Sequence, residues 1–94
     1  MPASISNAQK RHLKAQAQRL DPHVRVGHDG ISEGFLKAME AALADRELVK
    51  IKFSDHKEEK KTLVPQIAEQ TGSEVIMRVG NVAVFYRRKP GAGA

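Results

Sequence analysis

Hydrophobic residues recur along the chain at spacings that predict three helices and four strands. The first element is a helix over about residues 6–19, because Leu13, Ala17 and Leu20 recur at the spacing of one helix face. Ser6 precedes this stretch and is a suitable N-cap. The Asp-Pro pair at 21–22 ends it, since proline disfavours helical geometry in the preceding residue.

Two further helices follow in the pattern. The second begins after Ser32, another suitable N-cap, and ends before the next apolar strand. Its apolar face is broad and comprises Phe35, Leu36, Met39, Ala42 and Leu43. The third helix turns Leu63, Val64 and Ile67 inward and ends at Gly72, a natural C-cap. Pro65 lies within it, so we expect this helix either to start late or to kink.

Four short apolar runs predict strands at residues 23–26, 48–53, 75–79 and 82–86. Alternation in the second run predicts one buried side and one largely polar side. The Gly80-Asn81 pair between the last two runs predicts a tight hairpin. The order α-β-α-β-α-β-β requires parallel pairing and right-handed crossovers for the first strands, and antiparallel pairing for the last two. We therefore predict a single compact α/β domain with a mixed four-stranded sheet and packed helices.

Composition limits the class of protein. The chain has 94 residues, 40% hydrophobic and 29% charged, which is typical of one globular domain. It has no cysteine, which excludes disulfides, thiolate metal sites and a cysteine nucleophile. Its longest strictly apolar run, residues 82–86, is far too short to cross a membrane, so we expect a cytoplasmic protein. The net charge of +5 permits an anionic partner without requiring one.

The main candidate for chemistry is the sequence Gly27-His28-Asp29-Gly30, between a strand end and a helix start. Two glycines three apart allow a phosphate backbone to approach closely, and the helix N-terminus that follows favours an anion. An ordinary glycine turn remains the more common meaning of this spacing, by about three to one.

Enzymatic sites are not indicated. A dinucleotide fingerprint starting at Gly27 would need glycine where Asp29 and Ser32 stand, and the Gly-Lys-Ser/Thr of a P-loop is absent. We expect Gly34 to serve close packing in the first helical turn. No metal-ligand spacing relates the four histidines, His12, His23, His28 and His56. The sequence thus predicts no catalysis, no metal and no cofactor.

Basic residues form the second candidate feature. Together they are predicted to bracket the glycine loop, where they suit a phosphate backbone. They are Lys10, Arg11 and Lys14 on the first helix, Arg25 before the loop, Lys37 in the second helix, and Arg87, Arg88 and Lys89 after the last strand. Aromatic residues are few, which favours recognition of backbone and shape over unstacked bases.

Several motifs in this order strongly resemble the CRM family (chloroplast RNA splicing and ribosome maturation), and within it the stand-alone, YhbY-like bacterial members. The matching segments are residues 9–14 (QKRHLK), 24–34 (VRVGHDGISEG), 47–52 (ELVKIK) and 80–87 (GNVAVFYR). The resemblance extends over residues 5–88, followed at 89–94 by a basic, Gly-Ala tail that we expect to be disordered.

The resemblance implies an RNA-binding fold like the C-terminal domain of translation initiation factor three. It also implies that Gly27 to Gly30 acts as an RNA loop, as in KH domains, with the basic first helix beside it. The bacterial members of the CRM family are likened to assembly factors of the pre-50S ribosomal particle. The sequence departs from the pattern at Asp29, whose charge opposes a phosphate, and at Pro65.

We therefore expect a monomeric, non-catalytic protein that binds large-subunit ribosomal RNA and no membrane. The alternative is a protein-interaction module that docks on a ribosomal protein or an assembly GTPase. Salt dependence separates the two, because binding to an RNA backbone weakens steeply as salt rises. An enzyme for a small phosphorylated ligand is a distant third hypothesis.

Overall fold

The computed structural model describes residues 6–87 of the chain. All seven predicted elements are present in the predicted order. They are α1 (Asn7–Ala17), β1 (Val24–Val26), α2 (Glu33–Arg46), β2 (Leu48–Phe53), α3 (Lys60–Thr71), β3 (Glu74–Val79) and β4 (Val82–Tyr86). A short 3-10 helix, Lys57–Glu59, leads into α3. The predictions for Arg88, Lys89 and the tail lie outside the described residues.

The four strands form one mixed sheet in the order β1-β2-β4-β3. Strand β1 pairs with β2 in parallel, with Val24 opposite Ile51. Strand β4 is antiparallel to both its neighbours, and in its pairing with β2 Leu48 lies opposite Tyr86. The turn between β3 and β4 is Gly80-Asn81, and Gly80 has a φ of 58°, a conformation that suits glycine. The mixed sheet and the tight hairpin are therefore confirmed.

The helices cover both faces of the sheet. Helices α2 and α3 pack on one face over the main core, in which Met39, Val49 and Ile67 are fully buried. Helix α1 packs on the other face, where Ala17 contacts a second cluster containing Leu48 and Val84. Adjacent strand residues point to opposite faces, which is how β2 contributes to both clusters.

One side of β2 differs from its prediction. The sequence predicted a largely polar side, but Leu48 on that side is buried and Lys50 is half-buried. Helix α1 covers them, and the Lys50 ammonium donates hydrogen bonds to the carbonyls of Ala17 (3.3 Å) and Leu20 (2.9 Å). Strand alternation alone does not reveal which helix lies over which face.

Pro65 does not delay α3. The helix begins at Lys60, directly after the 3-10 turn, and continues through Pro65 to Thr71. Pro65 is exposed, so its ring faces away from the core. Helix α3 ends as predicted at Gly72, whose φ of 64° is left-handed.

Candidate nucleic-acid interface

The Gly27-x-x-Gly30 loop is a tight turn between β1 and α2. The N–H of Gly30 donates to the Gly27 carbonyl at 3.0 Å, and Gly30 has a φ of 65°. This left-handed conformation strains other residues, which explains the second glycine. The hydroxyl of Ser32 accepts a hydrogen bond from the N–H of Phe35 at 3.1 Å and caps α2, as predicted.

The first glycine has no such requirement within the fold. Gly27 lies outside the left-handed region, and a Cβ added to it would meet no heavy atom within 4 Å. Gly34 is also exposed. A Cβ added to Gly34 would lie 3.8 Å from Ser32 Oγ, which is an ordinary van der Waals distance, so the predicted close packing there is wrong. Both glycines line a shallow hollow of about 330 Å³, together with Arg25 and Asp29. The hollow opens at the N-terminus of α2, where backbone N–H groups favour an anion.

The segment after β2 supports the loop from one side. Because β1 and β2 are parallel, their C-terminal ends meet at the same edge of the sheet. The N–H groups of Ser54 and Asp55 donate to the Val26 carbonyl at 3.0 and 3.2 Å. The His56 ring donates from Nε2 to the His28 carbonyl at 2.7 Å. The loop is thus held by a neighbouring segment as well as by its own turn.

Asp55 contacts both histidines of this support. Asp55 Oδ2 lies 3.6 Å from His28 Nδ1, and Asp55 Oδ1 accepts the N–H of His56 at 2.7 Å. The hydrogen bond to the His28 carbonyl raises the pKa of His56, helped by the carboxylates of Asp55 and Glu59 and opposed by partial burial. The His56 N–H lowers the pKa of Asp55, with smaller contributions from the two imidazoles. Sequence reading missed this role of Asp55 and His56, although parallel pairing of the two preceding strands was the available signal.

Two cations lie side by side on the sheet as it approaches the loop. Arg25 and Lys52 are paired in the β1–β2 register, both exposed, on the face that α1 packs against. Arg25 was predicted and Lys52 was missed. The alternation of Lys50 and Lys52 with buried apolar residues was the signal that places Lys52 on this face.

Helix α1 presents the predicted lysines toward the same region. Gln18, at its C-terminal end, borders a hollow on the sheet lined by Val79 and Val82. Lys14 lies one turn before Gln18 on the same side of the helix, and Lys10 one turn before Lys14. We call the part of the sheet between this flank and the hairpin the open sheet face. Its members are Arg25, Lys52, Met77, Val79 and Val82.

The remaining predicted cations lie elsewhere. Arg11 is exposed beside Lys10 and Lys14, on the outer surface of α1. Lys37 lies on α2, across the sheet from Arg25, and pairs with Glu33 at 3.4 Å. Arg88 lies outside the described residues.

Arg87 also lies away from the loop that it was predicted to bracket. It follows β4 at the end of the sheet away from the loop, where its N–H donates to the Glu47 carbonyl at 2.9 Å. Its guanidinium contacts both carboxylate oxygens of Glu40, at 2.8 and 2.9 Å, and the Thr71 carbonyl at 2.8 Å. Arg87 therefore ties β4 to α2 and α3 instead of bracketing the loop.

Residues 6–87 offer neither a metal site nor a membrane span. They contain no group of three or more side chains arranged to hold a metal ion. They also contain no helix long and apolar enough to cross a membrane.

Several known proteins are similar to this chain in sequence and in fold. A protein from Pseudomonas aeruginosa named a probable RNA-binding protein is 30% identical over 88 residues, covering 93% of this chain and 85% of its own. An RNA-binding protein from Haemophilus influenzae is 34% identical over 85 residues, which cover 89% of this chain and 86% of that protein. The solution structure of a Staphylococcus aureus protein superposes with a TM-score of 0.78 at 32% identity, covering 92% and 91%. The sequence model of the CRS1 / YhbY (CRM) domain family matches residues 5–87, so the chain belongs to this family.

Proposed function

We propose that this protein binds RNA, without catalysis, through the Gly27–Gly30 loop, the open sheet face and the Lys10/Lys14 flank of α1. The names of its relatives support RNA as the partner. We further propose that the RNA is large-subunit ribosomal RNA in a pre-50S particle, from the resemblance to CRM proteins of ribosome maturation.

The observation that supports this proposal best is the open space at Gly27. The fold tolerates a Cβ at this position, so its own packing does not explain the glycine. A phosphate that approaches the backbone N–H groups at the start of α2 does explain it, because a side chain there would hold the RNA away.

The charges around the loop favour contact with the RNA backbone. Arg25 and Lys52 lie next to each other on the sheet, and Lys10 and Lys14 lie on the flank of α1 that borders the open sheet face at Gln18. The aromatic side chains are unsuited to stacking on bases, since Phe35, Phe53 and Phe85 are buried and Tyr86 is half-buried. Backbone contacts position a protein on RNA without specifying sequence, so shape would select the site.

A Gly27→Ala substitution tests the loop directly. We expect the variant to fold as the wild type does and to bind a short ribosomal RNA hairpin at least about tenfold more weakly, since one lost charge-assisted hydrogen bond costs about 1.5–3 kcal/mol. Urea unfolding serves as the control for the fold. Unchanged affinity in a folded variant would remove the loop from the interface.

The ribosomal target needs a separate experiment. Crosslinking the protein to RNA in cell extract and sequencing the fragments should enrich large-subunit ribosomal RNA. Enrichment of messenger or transfer RNA instead would contradict the ribosomal target and leave RNA binding intact.

A protein partner is the second candidate, favoured by one observation. Val79 is 62% exposed on the open sheet face, beside the half-buried Met77 and Val82. An apolar contact there would be nearly insensitive to salt, whereas contact with an RNA backbone weakens steeply as salt rises.

A further inference from the structure

A second cationic site lies at the end of the sheet away from the glycine loop. A pocket of about 520 Å³ opens between the second half of α1, the start of β1 and the end of α2. Four basic side chains line it: His12, Arg19, His23 and Arg46. Leu20 and Leu48 contribute apolar surface, and the described residues that line the pocket include no carboxylate.

His23 is the most firmly held of these side chains. Its backbone N–H donates to the Lys50 carbonyl at 2.7 Å, and its Nδ1 accepts the Lys50 N–H at 3.1 Å. Because Nδ1 is an acceptor, the neutral ring bears its proton on Nε2 and has a donor available. Burial lowers the pKa of His23, reinforced by Arg46 and Lys50 and opposed by Asp21, which favours the neutral ring.

The two arginines supply the charge. Arg19 and Arg46 are both exposed at the pocket, Arg19 in the turn after α1 and Arg46 in the last turn of α2. Arg46 contacts Asp45 through Nε at 3.8 Å, an exposed pair of the kind that binds weakly. A guanidinium binds phosphate with several parallel hydrogen bonds, which an exposed carboxylate neighbour does not prevent.

The pocket lies on the flank of α1 opposite the lysines. His12 on α1 and Arg19 in the turn that follows it both line the pocket, and Lys10 and Lys14 lie on the other flank of the helix. The cationic surfaces at the two ends of the sheet are thus separated by the ridge of α1. One RNA that crosses this ridge would contact both.

We propose that this pocket binds one nucleotide unit, with its phosphate between Arg19 and Arg46 and in reach of His23 Nε2–H, and its sugar or base against Leu20 and Leu48. A pocket of this volume with an apolar floor and a few polar groups is typical of small-ligand sites. The same chemistry suits a nucleotide within an RNA strand or a free mononucleotide. We favour the strand, and that choice rests on the proposed RNA-binding function.

The test is an NMR titration that observes the pocket and the loop separately. The full chain is titrated with a short ribosomal RNA hairpin and, in a second series, with adenosine 5′-monophosphate. The signals to follow are the His23 ring, the side-chain Nε–H groups of Arg19 and Arg46, and the backbone amides of the loop. We expect the hairpin to shift the pocket signals in the wild type and also in Gly27→Ala, which weakens only the loop.

Charge variants give the matching affinity measurement. The double variant R19Q/R46Q removes two cations from the pocket, and K61Q/R78Q removes two exposed cations that line neither the pocket nor the loop hollow. Losing one phosphate contact should reduce the slope of log affinity against log salt by about 0.7–0.9 in R19Q/R46Q. K61Q/R78Q should retain nearly the wild-type slope.

The outcomes separate this proposal from the proposed function. If the hairpin shifts the loop but neither probe shifts the pocket, the pocket proposal is overturned and RNA binding at the loop stands. If only the mononucleotide shifts the pocket, the nucleotide site stands and its ligand is the free nucleotide. If the hairpin shifts neither region, RNA binding itself fails, and the mononucleotide series alone then decides for or against the pocket. A slope that falls equally in both double variants would also overturn the pocket as a phosphate site.

Discussion

The conformation of the glycine loop depends on a histidine from another segment. His56 has a left-handed backbone, with a φ of 55°, and its ring donates to the His28 carbonyl inside the loop. That carbonyl stabilises the protonated ring and raises the pKa of His56. The N–H of His56 lowers the pKa of Asp55. At pH values between the pKa of Asp55 and the pKa of His56, the Asp55 carboxylate and the His56 imidazolium are therefore both charged.

The raised pKa of His56 predicts how stability depends on pH. Its contribution is fully present below the ordinary pKa of 6.5 and is lost as pH rises through the raised pKa of the folded protein. His56→Gln retains an N–H donor that does not titrate. The free energy of unfolding of the wild type, relative to this variant, should therefore fall as pH rises above 6.5, which urea titrations at several pH values would measure.

His12→Gln is the control, because it removes an exposed histidine from α1, away from the loop support. It should not reproduce the change seen with His56→Gln. The proposed role of the ring would be contradicted if the free energies of unfolding of the wild type and of His56→Gln differed by a constant amount across this pH range.

At the scale of the elements, the C-terminal end of α1 is bound by a single side chain of β2. The carbonyl of its last residue, Ala17, and the carbonyl of Leu20 just beyond it accept hydrogen bonds from the half-buried ammonium of Lys50 on β2. The negative end of the helix dipole also favours a cation at this position. Lys50 thereby fixes the helix whose two flanks border both proposed RNA contacts.

Lys50→Gln should separate this structural role from the binding role of its neighbour. We expect the free energy of unfolding to fall by about 1.5–3 kcal/mol, since two hydrogen bonds to a charged group are lost. Lys52→Gln, on the same face but exposed, should change it by no more than about 0.5 kcal/mol and weaken RNA binding instead. Equal stability of the two variants in urea would show that Lys50 does not hold α1.

The same elements show how far the sequence leads. Capping at Ser32 and Gly72 and the Gly80-Asn81 turn are local features, and the structure confirms each of them. The cover over Lys50 and the position of Arg87 depend on which segments meet across the sheet. Residue spacing along the chain does not contain that information, so tertiary contacts such as that of His56 with the loop had to come from the structure.

At the scale of the whole molecule, the cations proposed to contact RNA beside the loop lie on one side of the sheet. The α1 side has Lys10, Lys14, Arg25 and Lys52 toward the loop end. On the α2 and α3 side, cations are partly neutralised, as in the Glu33–Lys37 and Glu40–Arg87 pairs. This asymmetry, rather than the net charge of +5, gives the molecule a side suited to an RNA backbone.

Replacing Lys10, Lys14 and Arg25 together with Ala tests that asymmetry. If each contacts a phosphate, affinity should fall by a similar factor for unrelated RNA hairpins, because backbone contacts carry no sequence information. The slope of log affinity against log salt should fall by about 2–3, at about 0.7–0.9 for each lost phosphate contact. The matched control replaces Lys37, Lys61 and Arg78 with Ala, because it removes the same charge from the α2 and α3 side. If the two triple variants lose slope equally, the RNA responds to net charge alone, and the α1 side is not the binding surface.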